Sequence, residues 1–251
     1  MPEFVPDFLP DLPVDRILGS LRLSPGHEIR TGKFGSPESS AALVANAFGW
    51  FLTRPGDLPH LPGVPAGRIE VVELESEMRY PWAGGGRHPW LNVGLATQTT
   101  LIGVRARRYE PFRPAKNTGF ADVYDRPVWG PNMGRYTKLQ RDLVDGTVEF
   151  ECLDAVQLVK DAYGIRTRAE KRALGAVLVY LYAEPEFWAN GKPVDPARIA
   201  QHRRDVAAFS KAVAGDNCVF VPVRWTDLLH QWSKMPALKA HVLGLRARFG
   251  F

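Results

Sequence analysis

The sequence predicts an α/β protein with a mixed β-sheet core flanked by helices, and three observations lead there. Apolar residues switch repeatedly between a period of two and a period near 3.6, so strands and helices interleave along the chain. The stretch "AVLVYLYAEP" is apolar without alternation, as a strand covered on both faces must be. Residues 91–96 and 101–109 read as two short strands joined by a polar turn.

Each element follows from local chemistry. Residues 1–35 hold Pro2, Pro6, Pro10, Pro13 and Pro25, so an extended, proline-rich arm is expected, packed on a single domain of residues 36–251. Ser36, Pro37 and Glu38 offer an N-cap, a first-turn proline and an acid. They precede "SSAALVANAFGWFL", where Leu43, Ala47, Trp50 and Phe51 fall at helical spacing. The loop "TRPGDLPHLPGVPAG" then delivers the chain to "RIEVVELESEMRYPW", a strand on which Glu73, Glu75 and Glu77 would share one face. A glycine turn, "AGGGRHP", leads into the two central strands.

The following segment, "EPFRPAKNTGFADVYDRPVWGPNMG", is longer than an ordinary connection and is expected to rim a site. "RYTKLQRDLVDG" and "CLDAVQLVKDAYGI" read as helices, the second with Leu153, Val156, Leu158 and Val159 on its apolar side. After the apolar strand come an amphipathic helix in "DPARIAQHRRDVAAFSKAVAG" with Ile199, Val206, Phe209 and Val213, a strand in "CVFVPVRW" and a helix in "TDLLHQWSK". A basic helix closes the sequence.

Composition excludes several classes of function. The longest apolar run, "ALGAVLVYLYA", is too short to cross a bilayer, and the N-terminal region lacks a basic segment followed by an apolar one, so a soluble, cytoplasmic protein with no membrane partner is expected. Cys152 and Cys218 stand far apart in no CxxC pattern, and the six histidines form no HxxxH or HExxH pair, which leaves a zinc site without ligands. Gly84 to Gly86 precede no GK[ST], and no GxSxG elbow occurs. The net charge of +5 suits a polyanionic partner.

Two arginines, Arg105 and Arg107, break into the apolar strand that opens "LIGVRARRYEPF", with Arg108 and Glu110 following. Together with "SSAALVANAFG", "RYPWAGGGRHPWLNV", "LDAVQLVKDAYG", "LVYLYAEP" and "CVFVPVRWTDLLHQW", that stretch resembles a bacterial family of restriction-endonuclease-like proteins in the PD-(D/E)XK nuclease superfamily. The resemblance runs from about Ser36 to Trp232. It implies a mixed sheet flanked by helices, with an acid on one strand and an acid-x-lysine tripeptide on the next, groups that bind magnesium and position the attacking water. Carried over residue by residue, the first acidic position falls on Asn92, the second on Arg105 and the lysine on Arg107. Gln157 matches a glutamine that the family keeps on the helix after the core strands.

All three motif positions depart from the family's pattern. Magnesium takes hard oxygen ligands, usually carboxylates, and a guanidinium has no lone pair to give and repels the ion. Three readings stay open. In the first, the chain is a non-cleaving pseudoenzyme that binds DNA through Arg105, Arg107, Arg108 and Arg113. In the second, Glu75, Glu77 or Glu110 supply relocated carboxylates for an active magnesium-dependent endonuclease. In the third, Glu75 or Glu77 pairs with Arg105 or Arg107 across the strands, and the old site is the core of a partner-binding scaffold. Oligomeric state is not written in the sequence.

Overall fold

A computed structural model describes residues 7–82, 88–114 and 119–251. Five strands form one mixed sheet in chain order: β1 (Val71–Glu77), β2 (Trp90–Ala96), β3 (Thr100–Arg107), β4 (Gly175–Tyr182) and β5 (Cys218–Arg224). β1, β2 and β3 are an antiparallel meander, whereas β4 and β5 run parallel to β3. The turn between β2 and β3 is only three residues long because Thr97 closes it: its Oγ1 accepts from the amides of Thr99 at 3.2 Å and Thr100 at 3.0 Å. Parallel neighbours need crossovers, and helices supply them.

The helices form two layers. On one face lie α1 (Val14–Leu23), α2 (Ser40–Gly49), α6 (Trp225–Ser233) and α7 (Lys239–Phe249), packed around Phe48, Phe51, Trp225 and Trp232. On the other lie α3 (Gly134–Val144), α4 (Ala155–Glu170) and α5 (Pro196–Val213), packed around Tyr136, Tyr163, Ile165 and Phe209. β4 feeds both cores, with Val177, Val179 and Leu181 on the first face and Leu178, Tyr180 and Tyr182 on the second. Its unbroken apolar run is the direct result of having no solvent face.

Two expectations need correction. The N-terminal arm is not simply extended, because residues 14–24 are free of proline and fold as α1, which buries Ile17 and Leu21 against the sheet. Ser36 does not cap α2 either. Its hydroxyl accepts from the Glu38 amide at 3.3 Å and is spent on a local turn, while Ser39 accepts from Ala42 N at 3.1 Å and starts the helix. The glycine turn at residues 84–86 lies outside the described residues.

Helix α4 is pressed unusually close to the meander. A Cβ on Gly164 would stand 2.7 Å from Pro89 Cγ and 2.9 Å from the Met78 carbonyl, and one on Gly103 of β3 would collide with Ile165 of α4. Only glycine admits this approach.

Just beyond β3, Arg108 is buried and its guanidinium donates to the carbonyls of Pro37, before α2, and of Phe249, at the end of α7. One side chain thus ties three distant segments together. Arg108→Met strands both carbonyls away from any donor, and an expected loss of about 2–4 kcal/mol follows from the worth of charge-assisted hydrogen bonds. Urea denaturation of the two proteins measures it, and an unchanged midpoint would show that the clamp contributes nothing.

Candidate functional site

The site begins with a fault in the meander. On β1, Val72 and Leu74 face the α1/α2 core, yet Ser76 and Met78 face α4. On β2, Leu91 faces α4, yet Val93 and Leu95 face the opposite core. Even spacing cannot change faces on a regular strand, so each strand must break its alternation. The break falls at Glu75, whose φ of 49° lies in the left-handed region, and at Asn92 opposite it, between the pairs Leu74↔Val93 and Ser76↔Leu91. A left-handed glutamate is strained, and such strain is often stored at functional sites.

This fault corrects the expectation that Glu73, Glu75 and Glu77 share a face. Glu73 binds Arg168 of α4 at 2.9 Å and accepts from Ser76 Oγ at 2.6 Å. Glu77 pairs with Arg79 at 2.8 Å on the exposed edge. Glu75 instead turns toward Asn92, Arg105, Ser24 and Glu28. Burial pushes its carboxyl up to about 7, even though the Arg105 charge and hydrogen bonds from Asn92 and Ser24 work in the other direction. Asn92 also uses its side-chain oxygen to accept the Ala106 amide at 2.9 Å, which fastens the broken strand to β3.

Arg105 points from β3 toward α4, where Asp161 receives it in a fork. Nε donates to Oδ2 at 2.7 Å and Nη2 to Oδ1 at 2.6 Å. Arg105 is 8% exposed and Asp161 not at all. Gln157, one turn earlier on α4, donates to the same Asp161 Oδ1 at 2.8 Å. Burial pulls the Arg105 guanidinium downward, but the charges of Asp161, Glu75 and Asp154 and the Asp161 hydrogen bonds outweigh it, so its pKa is raised. The expected cross-strand partner, Glu75 or Glu77, is therefore replaced by Asp161. A fork needs a coplanar carboxylate at close range, and the tight seating of α4 provides one.

Along the same strand face, Arg107 opens onto a cleft of ≈ 550 Å³ bounded by β3, the start of α4 and the segment after β3. Its guanidinium donates to the Ala106 carbonyl at 3.0 Å and has no carboxylate partner among the described residues. Arg113 lines the cleft and pairs with Glu38. Glu110 also lines it, but one oxygen already accepts from Arg108 N at 2.8 Å, Tyr109 N at 3.1 Å and Ser40 Oγ at 2.9 Å, which makes it a structural cap. Asp154 accepts from Gln157 N at 3.0 Å and so occupies the N-terminus of α4.

Of the four arginines expected to meet phosphate, Arg108 is consumed by internal bonds, and Arg105, Arg107 and Arg113 line the cleft, Arg105 with its guanidinium already forked to Asp161. Among the described residues, no group of three or more His, Cys, Asp or Glu side chains is placed to hold a metal ion. The residues at the motif positions do not fit magnesium: the Arg105 guanidinium lies beside Glu75 and against Asp161, and the Asn92 oxygen is already engaged. The chain matches no family model, no curated protein and no solved structure.

Sequence reasoning missed Asp161, although a signal was present. Asp161 lies three residues after Leu158 and four before Ile165, on the buried side of α4. An acid on one buried face and an arginine on another are complementary anomalies.

Two sets of variants test these assignments. Asp161→Ala leaves a buried guanidinium without its partner and is expected to cost about 3–5 kcal/mol, while Arg105→Met combined with Asp161→Leu recovers most of that loss. Denaturant titration of the single and double variants decides it, and equal destabilisation in both would refute a mutually dependent pair. For Glu75, the folded carboxyl holds its proton up to about 7 against an ordinary value of 4.5, so the folded state binds more protons across that window. Its contribution to stability is intact at the low end and lost as pH rises through it. The stability of Glu75→Gln relative to wild type should therefore grow with pH between those values, and a pH-independent difference would rule this out.

Proposed function

We propose that this chain is a non-cleaving, restriction-endonuclease-like protein that binds nucleic acid through phosphate contacts in the cleft beside Arg107. The reading rests on the family resemblance of the sequence and on one observation. Arg105, at the second acidic motif position, is locked by Asp161, while Arg107 two residues later faces an open cleft without a carboxylate partner among the described residues. The first fact removes the means of holding a metal. The second leaves a cation able to fork two phosphate oxygens. Arg113, whose side chain is half exposed, is the second phosphate contact, exchanging its Glu38 partner for the ligand while Glu38 keeps the Ala189 amide.

The same buried pair favours a second reading, a scaffold that binds a protein partner and no phosphate. Filter binding separates the two. Wild type should bind DNA carrying single-stranded ends with an affinity that falls as salt rises, and Arg107→Ala with Arg113→Ala should weaken it by roughly tenfold or more. No salt-dependent binding, or binding unmoved by the double variant, would transfer the assignment to the scaffold. Linear and circular DNA should stay intact with magnesium or manganese. Cutting that is lost in Glu75→Ala or Glu77→Ala would instead establish the relocated carboxylates of an active nuclease.

A further inference from the structure

Resting on that reading, we infer that the cleft accepts a single nucleotide unit, from a free nucleotide or the end of a single strand, rather than the side of a duplex. The cleft has two chemically different walls. One carries Arg107 and Arg113, together with Arg105, whose guanidinium Asp161 already holds. The other carries Leu143 and Phe150, both partly buried and packed on the α3/α4/α5 core, so their outer surfaces are available without unfolding anything. A phosphate on the first wall leaves an attached sugar and base to lie along the second.

Size and charge both select against a duplex. A space of ≈ 550 Å³ falls within the range of small-molecule pockets, a size that suits a base and sugar rather than paired strands. A duplex groove would also demand a row of unopposed cations to replace its counterions. Here the lining arginines are interspersed with Glu110, Glu151 and Asp154, so the cleft offers separate cations and not a track. Arg198 neutralises Glu151 only loosely, at 3.7 Å. An aromatic ring beside a cation suits an unpaired base because every base has a stackable face.

The test is equilibrium dialysis of the full chain against a nucleoside monophosphate, a short single-stranded oligonucleotide, a blunt duplex and inorganic phosphate. The monophosphate and the single strand should bind, and inorganic phosphate should compete only weakly. Arg107→Ala should cost roughly tenfold in affinity. Phe150→Ala should cost about fivefold or more through lost stacking. Phe150 also touches Phe209 at 6.1 Å, so Leu143→Gln serves as a second probe of the apolar wall if the first variant is unstable. Duplex binding that needs Arg107, with no binding of the monophosphate or single strand, overturns this inference and leaves the phosphate reading standing. Monophosphate binding unmoved by either apolar-wall variant also overturns it. Failure of every phosphate probe overturns both.

Discussion

A guanidinium and a carboxylate facing each other out of reach of water set the terms for everything around them. Neither Arg105 nor Asp161 is tolerable alone in that position, since an unpartnered buried charge costs several kcal/mol. Together they fix how far α4 lies from β3. That spacing is the one at which Gly103 and Gly164 are required, at which Gln157 reaches Asp161, and at which the mouth of the cleft opens beside Arg107. The pair thus sets the geometry of the cleft beside it.

It also makes single substitutions at position 105 costly. An acid at position 105 alone would set a carboxylate against Asp161, with Glu75 already close and protonated up to about 7 for want of solvent. A metal site here would need Asp161 altered in the same step, and Asn92 would still be holding the Ala106 amide. Single changes at these positions therefore leave uncompensated buried charge.

Much of the fold was legible because it follows from periodicity. The apolar run of β4 announces a strand between two layers, and α3, α4, α5 and α6 start and stop within a few residues of where helical spacing begins and ends. What could not be read was long-range. The alternation of "VVELESE" is a good strand pattern, and nothing local reveals that Glu75 adopts a left-handed conformation and that the strand changes faces there. Arg105 was visible as an oddity, but its partner lies 56 residues away on another element. Arg107 and Arg108 are neighbours of identical chemistry, and only the packing sends one to the cleft and the other to the carbonyls of Pro37 and Phe249.

The reach of Arg108 has a temporal meaning as well. Its two carbonyl partners stand 71 residues before it and 141 residues after it. A chain emerging from its N-terminus lays down the meander early, yet the segment that leads from β3 into the cleft stays unanchored on one side until α7 has been made and docked. Closing such a distant contact is a late event in any folding order. The segment beside the cleft therefore gains its second anchor only when α7 docks.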